Sequence, residues 1–285
     1  MIFFRLIFFF CAMNPPFLFP KETYVFHRSY YLRPGMFASA TEILGQLVLF
    51  EEGEIGSLRV DFGNWGLYYD PQHGENWWDY YFEPIQLGVE NTSGILHPSK
   101  KEYRKAFLKR IRLTRRQVAA IVERYVRVKP HILKKRDDFA AREFDGFFII
   151  GVHYRGTDKK TENPLVPYEK VFKEIENRIP PDLPFRIFIA TDEEFFLRSI
   201  ETRFPGRVFS IPAHRSKGAE GVHFLYKNSY EIGEEALLDC LLLSKCSFLI
   251  RTPSHLGLWS TYFSPDLPVV LLEESNEDKR NVGSW

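Results

Sequence analysis

Phe147-Phe148-Ile149-Ile150-Gly151-Val152-His153-Tyr154-Arg155-Gly156-Thr157-Asp158-Lys159 is the stretch on which the fold turns. Its first half is a continuous apolar run, the pattern of a parallel strand covered on both faces. The run ends abruptly in His153, Arg155, Thr157, Asp158 and Lys159. In open α/β sheets ligands bind in the crevice outside the carboxyl ends of the strands. An apolar strand that delivers charged and hydrogen-bonding groups to that edge marks a candidate site. Arg155 can grip a phosphate with a bidentate fork, and Lys159 adds a point charge. Gly156 lets the backbone turn sharply or lie close to a ligand. For this stretch taken alone, an exposed basic turn is the alternative.

Downstream, strand and helix alternate. Strands are predicted over 185–190, 208–211, 248–251 and 269–272, and helices over 167–179, 193–203, 232–244 and 254–262. This order implies a parallel sheet with helices on both faces. Thr191-Asp192 and Thr252-Pro253-Ser254-His255 then fall on the same sheet edge as Arg155. Ser254 and His255 open a helix, whose N-terminal N–H groups favour an anion. Together with Arg155 they form a candidate diphosphate cradle. Asp239 sits among leucines on the preceding helix, where a buried carboxylate needs a partner. A base, a ribose hydroxyl or Arg155 would serve, and a solvent-facing Asp239 is the alternative.

Upstream, 24–31 reads as a strand, Arg33-Pro34-Gly35 as a turn, 37–50 as a helix and 56–62 as a short strand. A glycine turn feeding a helix can lie against a substrate, which makes Gly35 a candidate. Trp65, Tyr69, Trp77 and Trp78 are interleaved with Asn, Asp and Glu at no regular period. Aromatic faces beside amides and carboxylates suit carbohydrate, although a loop pinned to the core by its rings has the same composition. Ser99–Val128 is a long basic helical stretch, with Ser99 and Glu102 spaced as a capping box and Thr114 placed to restart a second helix. Leu108, Ile111, Val118, Ile121, Val122 and Tyr125 are assigned to its apolar face and the Lys and Arg to solvent. The stretch bridges an N-terminal domain, 1–128, and a C-terminal one, 129–285. Pro130 breaks the helical pattern.

Composition narrows the function classes. A chain of 285 residues with 45% apolar content can bury a substantial core. A net charge of +1 argues against a broad nucleic-acid or polybasic membrane surface, but not against a local anion pocket. The three cysteines, Cys11, Cys240 and Cys246, give neither a disulfide framework nor a zinc site. No phosphate-loop, dinucleotide or nucleophile-elbow signature occurs. Residues 1–13 are Phe-rich, too short to span a bilayer, and expected to be a buried segment or a weak membrane attachment. A cytoplasmic or cytosol-facing, membrane-associated location fits the cysteine usage, with the secretory lumen left open.

Three segments carry a family resemblance. His153-Tyr154-Arg155-Gly156-Thr157-Asp158-Lys159 resembles the H-x-R-R-T-D-K motif of α1,6-fucosyltransferases and their rhizobial nodulation relatives. Ala190-Thr191-Asp192-Glu193 resembles their A-T-D-D strand end, and Glu235–His255 their L-D-x-x-x-L-S-x-x-D-F-L-x-x-T-x-S-S segment. The matches occur in the family's order over about the C-terminal half. The resemblance, which extends to protein O-fucosyltransferases, implies a GT-B-like α/β fold of two Rossmann-like domains facing a cleft. It implies an inverting glycosyltransferase with GDP-fucose as co-substrate, a glycan or glycoconjugate acceptor, and neither metal nor cofactor. His153, Arg155, Thr191, Asp192, Asp239, Thr252, Ser254 and His255 match the donor side. Glu162 lies near the family's catalytic glutamate, with Arg155, Asp158 and Lys159 around the reacting centre and Asp158 as the reserve base. Gly35, Trp65, Tyr69, Trp77 and Trp78 stand where an acceptor domain should be. Two positions depart from the motifs: Gly156 replaces the second arginine and His255 the second serine. The alternatives are transfer from another nucleotide sugar and a non-catalytic nucleotide- or carbohydrate-binding module.

Overall fold

The computed structural model of the chain describes residues 23–26, 34–64, 66–88, 95–96, 99–157, 165–218, 222 and 228–273. It contains two sheets. The first comprises β1 (Thr23–Phe26), β2 (Ser57–Val60), β3 (Gln86–Leu87) and β4 (Ile95–Leu96) in the order β3-β2-β1-β4. Here β1 runs parallel to β2 and β4, and β3 is antiparallel to β2. The second comprises β5 (Phe148–Tyr154), β6 (Phe185–Thr191), β7 (Val208–Phe209), β8 (Phe248–Arg251) and β9 (Val269–Leu271). Its order is β7-β6-β5-β8-β9, with every neighbouring pair parallel. This is the doubly wound arrangement, and strand order reverses between β5 and β8. The carboxyl end of β5, which leads into Arg155, therefore lies at the topological switch point, where a parallel sheet leaves a crevice.

Local chemistry sets the helices. The Ser99–Val128 stretch divides into α3 (Lys100–Arg110) and α4 (Arg115–Tyr125). Ser99 with Glu102 and Thr114 with Gln117 each form a complete capping box, satisfying the first N–H groups of both helices. Pro130 does end the preceding pattern, but it also occupies the first turn of α5 (Pro130–Glu143), a helix absent from the sequence expectation. Proline is at home there because its missing N–H would have no intrahelical partner. Helices α6 (Tyr168–Glu176), α7 (Glu194–Arg203), α8 (Ser229–Leu243) and α9 (His255–Phe263) follow the predicted order.

Trp77 and Trp78 require a correction. They were expected to offer sugar-stacking faces, but they are 2% and 0% exposed. Trp78 opens the short helix α2 (Trp78–Tyr81), and its ring stacks on Phe82 at 4.2 Å. Trp77 packs on Phe62 at 4.4 Å and on Tyr68 at 5.3 Å. Burying large rings offers more apolar area than any other side chain, so these tryptophans serve as core. The same core takes in Leu237, Cys240, Leu241 and Trp259 from α8 and α9. Helices α8 and α9 of the C-terminal half thus share one hydrophobic body with β2 of the first sheet.

Gly233 of α8 makes the tightest joint in that body. A Cβ there would lie 2.2 Å from Tyr81 Oη and 2.9 Å from Tyr68 Cδ1. Tyr81 is fully buried and donates to the Tyr230 carbonyl at 2.8 Å, so it has no room to retreat. Gly233→Ala is expected to lower unfolding stability by about 1–3 kcal/mol, the usual scale of overpacking. A denaturant midpoint unchanged from wild type would contradict the tight contact.

Candidate active site

The cleft at the switch point is lined by Tyr68, His153, Arg155, Thr191, Asp192 and Asp239, with His214 and Glu235 at one side. Five of these are residues singled out from sequence. Strand β5 delivers His153 and Arg155, β6 delivers Thr191 and Asp192, and α8 delivers Asp239 and Glu235.

Arg155 is 22% exposed in its side chain and pairs with Asp192 at 2.8 Å. Its backbone N–H donates to Thr252 Oγ1 at 3.0 Å, which locks the end of β5 to the end of β8. The Asp192 carboxylate also accepts from the Gly156 N–H at 3.2 Å and from the Thr157 hydroxyl. Asp192 thus organises the turn after β5 and aims the guanidinium. Gly156 is fixed by space: a Cβ would lie 2.1 Å from Glu193 Oε2. Here a buried glutamate fills the room that a side chain at position 156 would need.

His153 is 4% exposed, and its Nδ1 has no hydrogen-bond partner among the described residues. Burial, with Arg155 and Arg251 nearby, lowers its pKa to about 3, so the ring is neutral at pH 7. Gly257 admits it closely, since a Cβ there would lie 3.1 Å from His153 Nδ1. Asp239 is 8% exposed, and Oδ1 lacks a hydrogen-bond partner among the described residues. Burial raises its pKa from 3.8 to about 8, partly offset by Arg215. The Oδ1 left without a partner among the described residues can accept from the N–H or O–H donors of a ligand, which would favour the ionised form.

This carboxyl also sets a pH dependence. Between its unfolded pKa and about 8, the folded state keeps a proton that the unfolded chain has released. Stability therefore falls as pH rises through that window. Asp239→Asn removes this slope, so the variant should gain on wild type between pH 5 and pH 8, measured by urea denaturation. Parallel stability profiles for the two proteins would contradict a carboxyl buried without a partner.

Other expected residues take different places. Ser254 caps α9, its Oγ accepting from the Leu256 N–H at 3.2 Å. His255, expected on the donor, instead places Nδ1 3.0 Å from Thr41 Oγ1, and the same Oγ1 accepts from Trp259 Nε1. It ties α9 to α1 (Met36–Glu51) because its position on the first turn points it across the joint. Gly35 is the N-cap of α1 and adjoins Tyr68, whose hydroxyl accepts from the Met36 N–H at 3.0 Å. Tyr69 is half-buried beside it in the chain. Trp65, Asp158, Lys159, Glu162 and residues 1–13 lie outside the described residues. Among those described, no cluster of His, Cys, Asp and Glu is arranged to hold a metal.

Four site groups were not singled out from sequence. Tyr68 lay within the aromatic segment without a distinguishing period. Arg251 directly precedes Thr252 at the end of β8 and is 8% exposed, so the strand end itself was the available signal. His214 and Glu235 pair at 2.8 Å through Nδ1, and Glu235 also accepts from the His214 N–H at 2.9 Å. Their separation in the chain concealed them.

No family model matches the chain. It is 27% identical over 165 residues to nodulation protein Z of Bradyrhizobium diazoefficiens, a match covering 50% of this chain and 41% of that protein. The match thus spans less than half the length of that curated relative. Among solved structures, the NodZ α1,6-fucosyltransferase soaked with GDP-fucose superposes with a TM-score of 0.59 at 17% identity. That alignment covers 92% of this chain and 98% of the other. POFUT1 in complex with GDP gives 0.51 at 10% identity, covering 88% of this chain and 98% of that one. The chain resembles the fucosyltransferase superfamily and has its GT-B-like α/β fold.

Proposed function

We propose that the chain is an inverting glycosyltransferase that transfers fucose from GDP-fucose to a glycan hydroxyl. The observation that carries this reading is the meeting in one cleft at the switch point of Arg155, neutral His153 and buried Asp239, whose Oδ1 has no hydrogen-bond partner among the described residues. The relatives that bind GDP or GDP-fucose with the same fold support the choice of donor. Arg155 takes the diphosphate, exchanging Asp192 for phosphate oxygens. Asp239 accepts from the base, whose guanine edge offers N–H donors. Residues 129–285 form the donor side and 1–128 the acceptor side, with Gly35 and Tyr69 at the acceptor approach.

The acceptor oxygen attacks the anomeric carbon from the face opposite the diphosphate. The new C–O bond forms as the bond to the diphosphate breaks, and the electron pair leaves with GDP. Arg155, Lys159 and the N-terminus of α9 stabilise that charge. Glu162 receives the acceptor proton. Cationic side chains fill the part a metal plays at other diphosphates, so no divalent ion is needed. GDP release from GDP-fucose should be equal in excess EDTA and in added magnesium or manganese. Activity lost to chelator and restored by a divalent ion would contradict this chemistry.

A further inference from the structure

Leu108 and Ile111 were expected to face the core, and the structure turns both outward, 41% and 50% exposed. Helix α3 packs on α1 through Ala106, which would lie 3.1 Å from a Cβ at Gly45. Ala106 and Arg110 are its buried residues. At about 100° per residue, Lys101, Arg104, Lys105 and Leu108 project from the opposite side, and Ile111 and Arg112 follow on that side past the helix end. Lys105 and Lys109 are held by Glu54 and Glu52. Lys101, Arg104 and Arg112 are exposed and pair with no carboxylate among the described residues. Of the five large hydrophobics exposed among the described residues, two therefore lie three positions apart inside one basic stripe.

We propose that this stripe docks the protein on an anionic membrane surface. Lys101, Arg104 and Arg112 lie against lipid phosphates, and Leu108 and Ile111 enter the boundary of the acyl chains. The exposed apolar pair favours a bilayer over nucleic acid, because a phosphate backbone offers it nothing, whereas the membrane interface accommodates both kinds of group. The attachment is peripheral: no described helix is long and apolar enough to cross a membrane. The net charge of +1 conceals the stripe because the 37 Asp and Glu of the whole chain nearly offset its 38 Lys and Arg.

Co-sedimentation of the full chain with vesicles tests this. The protein should pellet with phosphatidylcholine vesicles containing about one-third phosphatidylglycerol, fail to pellet with pure phosphatidylcholine, and be released by about 0.5 M sodium chloride. The double variant Lys101→Glu/Arg104→Glu should lower partitioning by about tenfold or more. Leu108→Ser/Ile111→Ser should lower it too, and both variants should bind GDP as wild type does, which shows that they are folded. Three outcomes would overturn the proposal. They are no pelleting with anionic vesicles, undiminished pelleting of both double variants, and stripe-dependent binding of duplex DNA without vesicle binding.

Discussion

Glu162→Gln is expected to lower sugar transfer by about 100-fold or more, the usual scale for loss of a general base. Glu162 follows the strand-end motif in Thr161-Glu162-Asn163-Pro164, and Pro164 disfavours a helical conformation at the residue before it. The proposed mechanism gives this carboxylate the proton of the acceptor hydroxyl. The amide keeps size and hydrogen bonding but takes up no proton. The loss should therefore appear in kcat, with GDP affinity nearly unchanged because the residue acts on the acceptor. Steady-state kinetics with a calorimetric GDP titration separate the two effects. Near-normal turnover in Glu162→Gln with a collapse in Asp158→Asn would transfer the role to Asp158.

Arg155→Ala is expected to weaken GDP binding by about tenfold or more. A charge-assisted, bidentate contact to phosphate contributes roughly 1.5–3 kcal/mol, and each 1.4 kcal/mol is about a factor of ten in affinity. This guanidinium pairs with Asp192 at 2.8 Å, so the diphosphate must compete with a carboxylate that is 8% exposed. The Gly156 N–H and the Thr157 hydroxyl keep Asp192 partnered when the arginine leaves. Arg155→Lys should recover only part of the affinity, since a point charge cannot supply the fork. Calorimetry showing unchanged GDP affinity in folded Arg155→Ala would remove Arg155 from the donor site.

The C-terminal sheet was legible because its strands are apolar runs bounded by turn residues and alternate with helices along the chain. The predicted bounds of β6 and β8 fall within a residue of those observed. The donor edge followed from the same logic, since parallel strands place their carboxyl ends together. What failed was the sidedness of surfaces. Trp77 and Trp78 looked like a sugar platform because their polar neighbours suggested exposure, yet long-range packing against Phe62, Tyr68 and Phe82 claimed the rings. Leu108 and Ile111 looked buried because they continue an apolar spacing into α4, but the separate cap at Thr114 starts a helix with its own face. The contact of His255 with Thr41 was not legible either, because the two lie 214 residues apart. Pairings at such separations carry no local signature.

Turnover against a panel of nucleotide sugars, with a pool of glycan acceptors and released nucleotide as the readout, tests the central claim most directly. GDP-fucose should give the fastest nucleotide release, accompanied by acceptor products heavier by one fucose and by a configuration at the anomeric carbon opposite to that of the donor. Tight binding of GDP with no turnover of any nucleotide sugar would contradict it and leave a binding module in place of an enzyme.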